Sequence, residues 1–390
     1  MDQCIHFPDC GGCCYQDIPY SEQLAKKERE IADIIGQGET PDPGLFEGIL
    51  HAADPYGYRN KMEYTFGDAF KDGPLALGMH KRKSRFDIVT ADSCNIVHPD
   101  FNRILKATLD YFSERKIRFY HKFRHDGTLR HLLVRRGKNT GEILVSLVTA
   151  SEGMTDEILN GWKDCLLKLD TQQKIVGILH TRNDSPADAV IDQGTDILYG
   201  QDFFTEKLMG LTFRITPFSF FQNNSDGAEI LYGKVREYIG DVRGKTVFDL
   251  YSGTGTIAQI AAASSRETFG VELVPEAVKA AEENAGQNGM GNCRFLCGDV
   301  LKVLEELKEK PDVIIMDPPR EGVHPKALGR ILSYGVEHMI YVSCKPQNFG
   351  KELPSFFQNG YRIRKSCAVD MFPFTKNTEM ITLLEKENAV

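Results

Sequence analysis

Between Val313 and Pro346 the chain reads VIIMDPPREGVHPKALGRILSYGVEHMIYVSCKP. Two apolar runs, VIIM and MIYV, each break into reactive polar chemistry. Asp317-Pro318-Pro319-Arg320 follows the first and Ser343-Cys344-Lys345-Pro346 the second. A carboxylate can position or accept a proton, and a thiolate is a strong nucleophile. A second reactive group opens the chain, where Cys4, Cys10, Cys13 and Cys14 fall within the first fourteen residues. Cys4-x5-Cys10-Gly-Gly-Cys13 lets three thiolates converge on one centre, with glycines to wrap the backbone around it. A fourth ligand comes from elsewhere. Cys14 adjoins Cys13, so their side chains diverge, and Cys94 in ADSCNIVHP is the favoured candidate. All-thiolate ligation suits either an iron–sulfur cluster or zinc.

These groups need a scaffold. Short apolar runs bounded by turns and separated by a helical segment predict neighbouring parallel strands, with Asp317 and Cys344 at adjoining carboxyl ends. KTVFDLY predicts a strand, and Ser252-Gly253-Thr254-Gly255-Thr256 a glycine turn opening a helix. Further strands end at Glu272 and Asp299. The βαβαβα order predicts a doubly wound α/β fold with ligands at the strand tips. The turn is G-x-G without a third glycine, which leaves room for a single nucleoside. Glu272 is placed for ribose hydroxyls and Asp299 for an adenine amino group. No GxxxxGK[ST] loop is present, which argues against nucleotide triphosphate hydrolysis. YRIRKSCAVDMF and EMITLLE, separated by Pro373 to Thr378, predict a hairpin whose antiparallel strand starts at the cofactor edge and puts Glu379 there.

Upstream, residues 20 to 35 predict a charged amphipathic helix with a packing role, followed by the Pro/Gly-rich break GQGETPDPG. Residues 46–210 predict a separate α+β domain, with HLLVRRGKNTGEILVSLVTA its clearest hairpin. The expected division is 1–45 for the cysteine segment and helix, 46–210 for the central domain and 211–390 for the C-terminal domain. Phe220-Phe221-Gln222-Asn223-Asn224-Ser225 leads into a helix capped by Asn or Ser. The net charge of −8 does not advertise a nucleic-acid binder, so such a role rests on local patches. His80-Lys81-Arg82-Lys83-Ser84-Arg85 is one basic run. Arg115 to Arg136 holds eight Lys/Arg against Asp126, with Phe119, Tyr120 and Phe123 interleaved. That pattern suits phosphates and unstacked bases. With 41% hydrophobic and 26% charged residues, no membrane-length apolar run and no secretory leader pattern, a soluble cytoplasmic protein is expected.

Carbon 5 of a pyrimidine cannot attack a methyl sulfonium unaided, but it can once a thiolate has added to carbon 6. A thiol, an acid and an adenosine site therefore fit that chemistry. The combination of C-x5-C-G-G-C, YRNK at 58–61, GTLRHLLVR at 127–135, FFQ-x-N at 220–224, DLYSGTGT at 249–256, GVE at 270–272, DPPR-x-G at 317–322, SC-x-P at 343–346 and DMFP-x-T-x-x-x-E at 370–379 resembles the RNA uracil-5-methyltransferase family (RumA/TrmA-like) over nearly the whole chain. The resemblance implies a class I, Rossmann-like methyltransferase domain in which Cys344 is the nucleophile and Glu379 the general base. It implies that Gln222, Tyr251, Thr256, Glu272, Asp299 and Asp317 contact S-adenosylmethionine or line its site. Cys4, Cys10, Cys13 and Cys94 are implied ligands of a [4Fe–4S] cluster, in the branch lacking the N-terminal TRAM β-barrel. The implied substrate is an RNA uridine, with 23S ribosomal RNA favoured over transfer RNA, and the implied state is a monomer. Lys345 replaces the family's usual Asn and Asn377 its usual His, and Lys345 is expected to lower the Cys344 pKa. Two rival readings are an amino-group methyltransferase built on Asp317-Pro-Pro, which needs no Cys344, and an inactive cluster-bearing RNA-binding protein.

Overall fold

The computed structural model describes residues 3–36, 44–187 and 189–387. In chain order, α1 (Tyr20–Ile35) and β1 (Phe46–His51) precede the central elements. These are β2 (Lys61–Asp68), β3 (Leu75–His80), β4 (Ile88–Thr90), α2 (Pro99–Glu114), β5 (Leu129–Gly137), β6 (Glu142–Thr149), α3 (Asp156–Leu167), β7 (Lys174–Arg182) and β8 (Thr195–Gly200). They form a mixed seven-stranded sheet in the order β4-β3-β2-β5-β6-β7-β8. Tyr64 and Phe66 of β2 alternate with Thr65 and Gly67, so one face packs with Phe101, Phe112 and Trp162 of α2 and α3. The expected Asn-Thr-Gly turn joins β5 to β6, with Gly141 at φ +70.

A two-stranded ribbon, β9 (Phe204–Leu208) and β10 (Leu211–Ile215), leads to α4 (Ser225–Ile239), whose Asn224 side chain accepts from Gly227 N at 3.0 Å. The second unit continues with β11 (Thr246–Leu250), α5 (Thr256–Ala262), β12 (Glu267–Glu272), α6 (Pro275–Gln287), β13 (Cys293–Cys297), α7 (Val300–Glu306), β14 (Val313–Met316), α8 (Pro325–Ser333), β15 (His338–Ser343), α9 (Pro346–Gln358), β16 (Tyr361–Asp370) and β17 (Glu379–Lys386). Its eight-stranded sheet runs β1-β16-β17-β15-β14-β11-β12-β13, and only β17 is antiparallel to its neighbours. Strand order reverses between β11 and β14, which makes their carboxyl ends the crevice of a doubly wound sheet. Val313 and Ile315 of β14 face one core, while Ile314 and Met316 face the other.

The sequence placed residues from 46 onward in the central unit, but β1 pairs in parallel with β16 in the large sheet. Ile31 and Ile35 of α1 share the core of that sheet. The intervening GQGETPDPG break lies largely outside the described residues. A six-residue strand is decided by which sheet edge is open to it, and local sequence carries no record of that. No helix among the described residues is long and apolar enough to cross a membrane.

Candidate active site

β14 and β15 are parallel neighbours, so Asp317 and Cys344 stand at adjoining strand ends. β17 runs back alongside β15, and the last pair of their ladder is Ser343 with Met380, so Cys344 and Glu379 are the next residues at that end, and Glu379 is among the charges that raise the Cys344 thiol. Glu379 is 5% exposed, and its carboxyl is pushed up to about 8, first by burial and then by Asp317, with Arg320 opposing. Burial also raises Asp317 to about 7. The Cys344 thiol is pushed up to about 11 by burial, then by Glu379 and Asp317, and Arg320 is the cation that pulls it down. Lys345, expected in that role, is exposed, and its backbone N–H donates to Ser343 Oγ at 3.3 Å.

Arg320 is held in place by its own loop. Asn348 Nδ2 of α9 donates to Arg320 O at 2.5 Å, and Glu352 accepts from Val323 N at 2.8 Å and from the Tyr341 hydroxyl at 2.9 Å. Tyr232 of α4 was not singled out by the sequence. It is 5% exposed, lies against Gln222, and has its phenol pushed well up by burial and then by Asp317, with Asp249 and Glu379 adding to the rise. Only the packing of α4 under the strand tips brings it there. The YRNK stretch finds its role in the same corner. Asn60 Nδ2 donates to Gln222 O at 3.2 Å and Ser225 Oγ at 3.0 Å, so the central domain fixes the FFQ loop.

At the glycine turn, Tyr251 takes a left-handed φ of +67 and Gly255 one of +77, where an added Cβ would collide with the Phe295 ring. Burial and then Asp299 push the Tyr251 phenol up to about 12. Glu272 accepts from Gly253 N and Val274 N, both at 2.9 Å, which fixes its carboxylate at the end of β12. Asp299 is exposed and caps α7 by accepting from Lys302 N at 3.3 Å. Thr256 is buried at the start of α5. Ser252 Oγ at the glycine turn is buried without a hydrogen-bond partner among the described residues.

The loop before Glu379 is fastened from several directions. Lys27 Nζ, 1% exposed, donates to Asp370 Oδ1 at 2.6 Å and to Phe372 O at 3.1 Å, and the Tyr20 hydroxyl donates to Asp370 Oδ2 at 2.9 Å. Cys14 N and Tyr15 N both donate to Phe374 O, at 2.9 and 3.0 Å. Asn224 Nδ2 reaches Met371 O at 3.0 Å, and the Tyr58 hydroxyl reaches Pro373 O at 3.1 Å. The helix read as packing alone therefore anchors the loop that leads to Glu379. The sequence signal was present: Gln23, Lys27, Ile31 and Ile35 are buried at a spacing of four, so two polar residues continue the apolar stripe.

Cys4, Cys10, Cys13 and Cys94 lie within electrostatic reach of one another. Burial pushes Cys13 up to about 11 and Cys94 up to about 12. The Cys94 thiol also feels Cys13, Cys4 and Cys10, while Cys13 feels Cys10 and Cys4. Cys14 acts instead on Lys26 and Lys27 of α1. Gly11 crosses so close to His80 O that a Cβ would meet it at 2.8 Å, which holds the motif against β3. Among the described residues no three or more His, Cys, Asp or Glu side chains are drawn up to ligating distance. A bound cation would relieve the mutual repulsion that helps raise Cys10, Cys13 and Cys94.

Residues 241–386 match a methyltransferase-domain family profile. A Clostridium tetani protein described as an uncharacterized RNA methyltransferase is 46% identical over 388 residues, covering 100% of this chain and 84% of its own length. A Bacteroides thetaiotaomicron protein of the same description is 33% identical over 402 residues, covering 98% of this chain and 87% of its own. Among solved structures, the Pyrococcus abyssi tRNA (uracil-54, C5)-methyltransferase in complex with S-adenosyl-L-homocysteine superposes with a TM-score of 0.77. It is 25% identical, and the match covers 97% of this chain and 86% of that one.

Proposed function

Because this chain belongs to the RNA methyltransferases, we propose that it methylates carbon 5 of a uridine in RNA through a transient bond from Cys344 to carbon 6. The observation that supports this reading is the β15–β17 ladder, whose last pair is Ser343 with Met380, so that Cys344 and the buried Glu379 follow at the same end and Glu379 raises the Cys344 thiol. An amino-group methyltransferase has no use for Cys344 at that position. In the proposed reaction the Cys344 thiolate adds to carbon 6, and the ring electrons move toward carbon 5. Carbon 5 takes the methyl group of S-adenosylmethionine, whose sulfur departs as a neutral thioether. The Glu379 carboxylate then removes the proton from carbon 5, the double bond re-forms and Cys344 leaves as thiolate. Arg320 lowers the pKa of both Cys344 and Glu379 and so favours the thiolate and carboxylate that the reaction uses.

Glu272 takes the ribose hydroxyls of the donor and Asp299 its adenine, with Gln222, Tyr251 and Thr256 lining the site. Asp317 acts as a positioning residue. Cys4, Cys10, Cys13 and Cys94 hold a [4Fe–4S] cluster, which ties the N-terminal segment to the central domain. Ribosomal RNA is the preferred substrate on the strength of the cysteine motif, and the tRNA activity named for the Pyrococcus abyssi protein supports the second reading. Ribosomal and transfer RNA transcripts carrying 5-fluorouridine, incubated with S-adenosylmethionine, trap the adduct. A denaturation-stable complex is expected with wild type on one RNA class and none with Cys344→Ala. An undiminished adduct in Cys344→Ala would sink the assignment.

A further inference from the structure

The two basic runs, far apart in sequence, meet at one cavity of about 360 Å³ on the face of the central sheet away from α2 and α3. The first run contributes His80 and Arg85, and the second contributes the 119–124 loop with Arg130 and His131. Thr65 and Gly67 form the floor, on the pocket-facing side of the β2 alternation. The loop is built tightly. His121 N donates to Asp126 O at 2.7 Å, and Gly127, at φ +97, passes so close to Phe119 O that no side chain fits. The turn lifts Phe123 into solvent at 66% exposure, beside Phe86 at 58%, with ring centroids 5.7 Å apart. Lys122 Nζ lies 5.7 Å from the Phe86 ring centroid, so the rim combines two exposed aromatic faces with a cation. Lys71 and Arg85 line the cavity together with Asp68, Asp72 and Asp87 but are within ion-pair distance of no acid among the described residues, and His80 Nδ1 is buried without a hydrogen-bond partner among them. The cavity shares no lining residue with the candidate active site.

We propose that this cavity is a second RNA subsite. It takes one unstacked base against Phe86 and Phe123, with the adjoining phosphate held by Arg85 and Lys71. The size is that of a small-ligand pocket, whose usual range is roughly 300–1,000 Å³. Exposed aromatic rings beside unpaired cations are the two parts from which sequence-tolerant single-strand sites are made. The proposal rests on RNA being the substrate of the active site, and it adds an anchoring point that leaves the methylation chemistry untouched.

The test uses full-length protein and the ribosomal or transfer RNA transcript that wild type binds more tightly, with binding read by filter retention and without turnover. Phe86→Ala/Phe123→Ala weakens RNA binding by about tenfold or more. Arg85→Ala makes the slope of log affinity against log salt shallower by about 0.7. Both variants keep the wild-type melting temperature, because the changed side chains are on the surface, and both keep wild-type S-adenosylmethionine affinity. RNA affinity within about twofold of wild type in the double aromatic variant overturns the proposal. So does saturable uridine monophosphate binding that the double variant loses while its RNA affinity stays intact. RNA bound tightly but never methylated at carbon 5 would refute the reaction proposed above and leave this subsite standing.

Discussion

Burial pushes the pKa of both Glu379 and Cys344 up, Glu379 adds to the rise at Cys344, and both groups answer to Asp317 and Arg320. For Glu379 this has a consequence in pH. The unfolded carboxyl ionises near 4.5, whereas the folded one stays protonated to about 8. Its contribution to stability is therefore full below 4.5 and is lost progressively as pH climbs to about 8. Glu379→Gln has no proton to lose. The variant's melting temperature should match wild type at the acidic end and exceed it increasingly toward pH 8. A constant difference across that window would show that the carboxyl is not buried as described. The sequence exposed Glu379 through hairpin topology, but it assigned the cation beside Cys344 to Lys345. Arg320 holds that place because the DPPR loop folds back onto α9, a long-range contact that adjacency in sequence does not encode.

At the scale of elements, α1 holds the loop before Glu379 through an ion pair rather than through apolar packing alone. Lys27 and Asp370 are 1% and 0% exposed, and burial pulls the Lys27 pKa down while Asp370 pushes it up. Removing one partner of such a pair leaves a buried charge uncompensated, which costs about 3–5 kcal/mol. Lys27→Met should therefore lose about that much in urea unfolding, and adding Asp370→Asn should restore part of it. A loss below about 1 kcal/mol would mean that water reaches the pair. Because Asp370 ends β16 and opens the loop to Glu379, the same variant should slow methylation more than it weakens RNA binding.

Across the whole molecule, the cysteine segment touches both units. Gly11 N donates to His80 O at 3.0 Å in the central sheet, and Cys14 N and Tyr15 N reach Phe374 O in the C-terminal loop. A metal centre at Cys4, Cys10, Cys13 and Cys94 would brace that junction. Anaerobically purified protein should be brown, and Cys10→Ser should bleach it and lower the melting temperature. Stoichiometric zinc without iron would overturn the cluster. Cys14→Ser should leave both colour and iron content unchanged, since its side chain faces α1.

The sequence by itself determined the doubly wound order, the glycine turn, the strand tips carrying Asp317, Cys344, Glu272 and the start of β17 at Glu379. It could do so because strand and helix periodicity, turn residues and chain order are local properties, and a doubly wound sheet converts them into positions. Only the tertiary structure decided that β1 joins the large sheet, that Lys27 and Asp370 pair, that Tyr232 and Arg320 reach the strand tips, and that two basic runs close around one cavity. Each of these is a contact between segments distant in sequence. Such contacts are fixed by which surfaces remain unburied once the sheets have formed, and no local pattern states that.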